Sequence, residues 1–191
     1  MDYSSYNNNG QLGAGNGANT PNWTFSNCLR GGCYDFDSTN DLISINSTPF
    51  YFSTWSNITV AAWVKNDIGA GAGVDDIISY WNFPSSQSWL LTHHSNNQYF
   101  WEIQGKTSVT GGVVSTAWTH VVGTYDGSTM RLYVNGTQVA SATGLSGNLP
   151  SSTANVIIGS QHDAANFFDG LIDEVLIFNY SLTSDQVREL Y

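Results

Sequence analysis

Charge is what this 191-residue chain has least of: Asp, Glu, Lys and Arg make up 10% of it, against roughly 25% in an average domain. Only five Lys and Arg stand against 15 Asp and Glu, a formal net charge of −10. No basic cluster exists to grip a phosphate backbone, so nucleic acid is not expected as a partner, nor is an anionic membrane surface. No apolar run approaches the ~18 residues of a membrane span, so membrane insertion is not expected either. If the protein is exported, its signal was removed or lies outside these residues. There are two cysteines, Cys28 and Cys33, in "NCLRGGC". Without a neighbouring His pair they make a poor zinc site. They suit a disulfide closing a short loop turned by Gly31 and Gly32, or two free thiols in a reducing compartment.

What the chain does have is aromatics, 14% with seven Trp, which argues against disorder. It also has many short runs of β-branched and aromatic residues separated by turn signals. Residues 1–33 read as Gly- and Asn-rich loops around one or two short strands. Strand-like runs follow at 41–45, 58–65, 76–81, 88–94, 98–104, 118–125, 129–134, 137–141, 154–160 and 170–179. Asn135-Gly136 between alternating apolar residues is a hairpin signal, and Asp126-Gly127 marks the reversal before it. Together they predict an antiparallel meander over 118–141. The single helix is predicted at the C-terminus. There Thr183 and Gln186 complete a capping box, and Leu182 and Val187 form a hydrophobic staple. No internal repeat or second domain is visible. The chain reads as one all-β domain over residues 1–191, a two-sheet antiparallel sandwich with one short C-terminal helix.

Four stretches carry a family resemblance. They are the opening "DYSSYNNNGQL", "CYDFDSTNDLISI" with Ser38 where Gly is usual, the pair "ITVAAWVK" and "WTHVVGTYDGSTMRLYVNG", and the ending "DGLIDEVLIFNYSLTSDQVREL". Together they resemble the laminin-G-like domains of the concanavalin A-like lectin/glucanase superfamily, in their bacterial and archaeal jelly-roll form. The likeness runs from residue 2 to 190. It implies a jelly-roll fold, an extracellular or cell-surface location, and buried positions for Trp63 and Trp118. It also implies a structural Ca²⁺ whose ligands map to Asp2, the carbonyl of Asp37 or Ser38, and Asp173. Oxygen-only donors suit that ion. The competing expectation is that Asp173 merely accepts backbone N–H groups. Glu174, on the other face of that strand, is expected to be a solvated or hydrogen-bonded acid.

The resemblance also extends to glycosidases, which carry paired acids on one strand. Retaining hydrolysis needs two carboxyls about 5 Å apart. This chain has Glu only at 102, 174 and 189, none with an acid two or four residues away on a strand. Asp75 and Asp76 are adjacent and point apart. No Gly-x-Ser-x-Gly elbow or His-Glu-x-x-His motif accompanies the four His. A catalytic role is not expected.

Recognition remains. The densest mix of aromatics and side-chain amides is "YWNFPSSQSWLLTHHSNNQYFWEIQ", residues 80–104. Alternation assigns Trp89, Leu91, His93, Tyr99, Trp101 and Ile103 to the core. It turns Thr92, His94, Phe100, Glu102 and Gln104 outward, and a one-residue slip would reverse the list. Trp81 and Asn82, beside Pro84, join these as the candidate ligand-binding set. The leading expectation is a lectin-like module for a polysaccharide or glycan, monomeric in isolation. The alternatives are an adhesion or structural domain facing a protein surface, and an unusual glycosidase.

Overall fold

The computed structural model describes residues 8–47, 50–67, 73–161 and 166–191. Within these the strands, in chain order, are β1 (Gln11–Leu12), β2 (Asn22–Thr24), β3 (Cys33–Asp37), β4 (Ile43–Ile45), β5 (Ile58–Asn66), β6 (Asp75–Asn82) and β7 (Ser86–His94). They continue as β8 (Gln98–Ile103), β9 (Thr107–Gly111), β10 (Thr119–Tyr125), β11 (Met130–Val134), β12 (Thr137–Ala142), β13 (Val156–Ile158) and β14 (Asp169–Phe178). One helix, α1 (Ser184–Leu190), follows. The strands form two antiparallel sheets of seven. The first has the order β1-β4-β13-β6-β7-β8-β9 and the second β12-β11-β10-β5-β14-β3-β2.

The core lies between the sheets. Ile58, Val60, Ala62 and Val64 of β5 enter it from the second sheet, and Trp89, Leu91, Tyr99, Trp101 and Ile103 from the first. The predicted alternation of β7 and β8 is therefore the one observed. Gly123 makes room for the largest of these rings, since a Cβ there would lie 2.4 Å from Trp101. The indole N–H of Trp101 donates to the Thr124 carbonyl across the sandwich at 3.2 Å.

Thr59 and Ala61 of β5 and the intervening residues of β10 are buried too, because a second cluster seals this part of the outer face of the second sheet. Ala61, Val122 and Tyr133 pack there against Leu182 and Val187. The Thr183–Gln186 capping box fixes the start of α1. Thr59 anchors the approach to it, donating to the Tyr180 carbonyl at 2.8 Å and accepting from Leu182 N–H at 2.9 Å. The meander β10-β11-β12 forms as expected, with Asn135 and Gly136 at φ 50° and 72° in its turn. The paired positive φ values are what an Asn-Gly hairpin turn requires.

Two expectations are corrected. Trp63 and Trp118 are half-buried on the outside of the second sheet rather than in the core. Trp63 stacks on His120 at 5.1 Å and on Tyr191 at 5.5 Å, and Trp118 donates its indole N–H to the Asn27 carbonyl at 2.7 Å. Each lies one residue out of phase with the inward-facing positions. Cys28 and Cys33 are joined in a disulfide.

Candidate functional site

Cross-strand register assembles the outer face of the first sheet. Ser79, Leu90, Glu102 and Ser108 lie in one row across β6 to β9. Asp76, Thr92, Phe100 and Thr110 lie in the next, and His94 pairs with Gln98 beyond it. The face divides in two. Toward β13 it is sealed: Asp76, Ser79, Leu90, Thr92 and Ile157 are buried. Toward β9, Phe100, Glu102, His94 and Gln98 keep part of their surface in solvent, and Ser108 and Thr110 are exposed.

Phe100 and His94 pack ring against ring at 4.4 Å. Burial, with a smaller push from His93, lowers the pKa of His94 and so favours the neutral imidazole. Burial raises the pKa of Glu102, and its carboxylate takes no hydrogen bond from any described residue. Its cross-strand neighbours are Leu90 and Ser108, neither of them an acid.

The other members of the sequence-derived binding set are placed differently. Thr92 is buried, with its hydroxyl donated to the Asp75 carbonyl at 2.8 Å. Trp81 is only 7% exposed, whereas its neighbour Phe83 is 60% exposed at the tip of the β6–β7 turn. Asn82 ends β6 half-buried, and Gln104 is exposed just past β8. The exposed Phe83 was legible in "WNFPSS", because an aromatic beside Pro in a turn has no strand face to bury itself against.

The described residues of the expected calcium set do not converge. Asp37 pairs with Asp169 across β3 and β14, so Asp173 lies four residues further along β14. That is roughly 13 Å at a strand rise of about 3.3 Å per residue, too far to share one ion. The Asp37 carboxylate accepts from Thr39 N–H at 2.9 Å. Asp173 accepts from Glu174 N–H at 2.9 Å and Arg30 N–H at 3.3 Å. Asp2 lies outside the described residues. Asp173 and Glu174 open a β-bulge in β14, with Glu174 at φ 48° and exposed, and this is what the Asp-Glu pair does in the strand. Among the described residues no three His, Cys, Asp or Glu side chains gather to hold a metal ion.

The end of the sandwich where β3 and β5 finish and β6 and β14 begin is strongly acidic. Burial raises the pKa of Asp169, as do the like charges of Asp67, Asp75, Asp35 and Asp37. The same causes, with Asp67 and Asp37 as neighbours, raise that of Asp35. His93 Nε2 lies 3.0 Å from Asp75 Oδ2, a contact made without hydrogen-bond alignment. Asp76 is completely buried, and burial pushes its carboxyl up to about 7, with Thr92, Gln161 and Asn166 pulling the other way.

The laminin-G family described as the concanavalin A-like lectin/glucanases superfamily matches residues 37–188. No curated protein matches. Among solved structures, the binding domain of Paraclostridial Mosquitocidal Protein 1 is 18% identical with a TM-score of 0.76, over 99% of this chain and 48% of that one. The botulinum neurotoxin serotype G binding domain is 18% identical with a TM-score of 0.69, over 97% and 47%. The receptor binding domain of the botulinum neurotoxin C/D mosaic serotype is 18% identical with a TM-score of 0.73, over 100% and 47%. The chain spans about half the length of these structures, and at such identities the likeness is one of fold.

Proposed function

The chain belongs to the concanavalin A-like lectin/glucanases superfamily, and from that premise we propose that it is a non-catalytic carbohydrate-binding module of a secreted or cell-surface protein. One observation carries the reading: a half-exposed Phe100, steadied by His94 at 4.4 Å, stands beside Glu102, whose half-buried carboxylate takes no hydrogen bond from any described residue. A ring face suits the apolar face of a sugar, and a carboxylate still able to accept suits its hydroxyls. Exposed Ser108 and Thr110 and half-exposed Gln98 border the patch with further donors and acceptors. The flanking of Glu102 by Leu90 and Ser108, not by a second acid, supports binding over hydrolysis. A net charge of −10 favours neutral or basic polysaccharides over polyanionic ones.

The test is calorimetric titration of a polysaccharide panel into the wild type, Phe100→Ala and Glu102→Gln. Saturable binding that weakens at least about tenfold in both variants, with melting temperature unchanged, supports the module. This follows because a hydrogen bond to a charged group is worth about 1.5–3 kcal/mol. Binding that both variants retain would remove the sugar from this face.

A second reading, a protein-adhesion domain, has its own observation. Trp23 (51% exposed) and Phe25 (75%) sit 5.8 Å apart on and just after β2, at the edge of the second sheet. The solved structures of like fold are binding and receptor binding domains, which is compatible with either ligand class. A panel without a single sugar hit, together with loss of a protein ligand on Trp23→Ala, would establish this alternative.

A further inference from the structure

A cavity of about 120 Å³ lies on the outer face of the second sheet, outside the part sealed by Leu182 and Val187. Its floor is one cross-strand row, Asp35, Leu171 and Lys65 of β3, β14 and β5. Their neighbours Phe36, Ile172 and Val64 enter the core, so alternation turns this row outward. Leu171 is nevertheless only 6% exposed, because residues 25–32, between β2 and β3, fold back over it. The Cys28–Cys33 disulfide ties the middle of that loop to β3. Ser26 N–H donates to the Thr24 hydroxyl at 2.9 Å, the Asn27 carbonyl accepts from the Trp118 indole at 2.7 Å, and Arg30 N–H donates to Asp173 at 3.3 Å. Asn27 turns the chain at φ 60°. Walls held this firmly lower the entropic cost of filling the space between them.

The lining is mixed in charge and in hydrogen-bonding sense. Thr24, Ser26 and Asn27 bring hydroxyls and an amide from the loop, Lys65 brings donors, and Asp35 and Asp67 bring acceptors. Among the described residues Lys65 has no ion-pair partner. The half-buried Trp118 ring, bonded to Asn27, stands beside them. Polar groups of both senses around one apolar side chain, with an aromatic ring close by, suit a polyhydroxylated ring. The space suits one such ring in part, since a cavity on the order of 150 Å³ holds benzene. Two carboxylates outnumber the one ammonium, and Asp37 adds its charge to the field on Asp35. A neutral sugar would leave that repulsion in place, whereas a sugar carrying an ammonium group relieves it.

We propose that this cavity is a second binding site, which takes one amino-sugar residue with a free amine. The ammonium group lies against Asp35 and Asp67, and the ring hydroxyls meet Lys65 and Asn27. The site stands on the opposite sheet from Phe100 and does not depend on sugar binding there.

The experiment is calorimetric titration of the full chain carrying Phe100→Ala, so that the patch on the first sheet contributes nothing. The probes are β-1,4-linked glucosamine oligomers and their N-acetylated counterparts, at about pH 6, where the free amine is protonated. The glucosamine oligomer should bind saturably, and the N-acetylated one at least about tenfold more weakly, as expected when a charge-assisted hydrogen bond is lost. Asp67→Asn, a substitution at an exposed position, should remove most of that preference, and Lys65→Met should weaken both probes alike. Asp185→Asn with Glu189→Gln removes more charge, but on α1 and away from the cavity lining, and should leave binding unchanged. The proposal is overturned by equal affinity for the two probes or by no binding of the glucosamine oligomer. A loss in the Asp185 and Glu189 double variant as large as in Asp67→Asn overturns it too, by reducing the effect to overall charge. None of these outcomes touches the reading of Phe100, which the polysaccharide panel tests.

Discussion

On the outer face of the second sheet, Ala61, Val122 and Tyr133 disappear under Leu182 and Val187, and Trp63, His120 and Tyr191 stack beside them. On the outer face of the first sheet, Phe100, Glu102 and His94 have no described segment of comparable size laid over them and keep part of their surface in solvent. The difference is written into the strands. β5 reads "ITVAAWVK" because both of its faces are covered, whereas β8 reads "QYFWEI" because only one is. A sandwich has two outer faces on which to place recognition. Here the C-terminal segment occupies one of them with the protein's own side chains, and the other keeps polar groups such as Glu102 in contact with solvent.

The largest effect should come from unsealing the covered face. Val187→Asp places a charge where a fully buried valine packs, and it should cost at least about 3 kcal/mol in urea unfolding. If the loss were under 1 kcal/mol, α1 would be an appendage and the contrast between the faces would fail.

The same face should give the chain an acid limit. Burial holds the pKa of His120 down to about 4, against about 6.5 unfolded. The unfolded chain therefore binds the extra proton first. Stability is whole above pH 6.5, declines as pH falls, and by about pH 4 has lost up to about 3 kcal/mol. His120→Gln should flatten that slope, as measured by denaturant midpoints at several pH values.

Reducing the Cys28–Cys33 bond, or replacing both residues with Ser, should cost no more than about 2 kcal/mol, since the loop it closes is short. The smallest effect belongs to the recognition face. Glu102→Gln should leave stability within about 0.5 kcal/mol or raise it slightly, because it replaces a half-buried carboxylate that takes no hydrogen bond from the described residues. A larger loss would make Glu102 a structural residue and weaken the sugar reading.

Much of this was legible in the chain. The meander, its Asn135-Gly136 turn, the capping box at Thr183 and the inward phase of Tyr99, Trp101 and Ile103 all follow from local chemistry and period-two alternation. β9 did not show itself. "TSVTG" is a short edge strand with one valine, and a strand that buries so little carries no pattern to read. Trp81 looked like a binding platform because composition counts rings without saying which way they turn. Asp76 was readable only as one of two adjacent acids pointing apart.

The sequence by itself determined the sandwich, its turns and the helix that closes it, because each of these depends on residues within a few positions of one another. Tertiary structure decided where recognition could go and which acid was buried. A register shift between Asp76 and Ile78 sends both Ile77 and Ile78 inward and turns Asp76 against Thr92, and Gln161 and Asn166 reach that acid from far along the chain. A one-residue bulge reverses the face that every residue beyond it presents, and burial by distant segments depends on chain closure, so neither leaves a local signature.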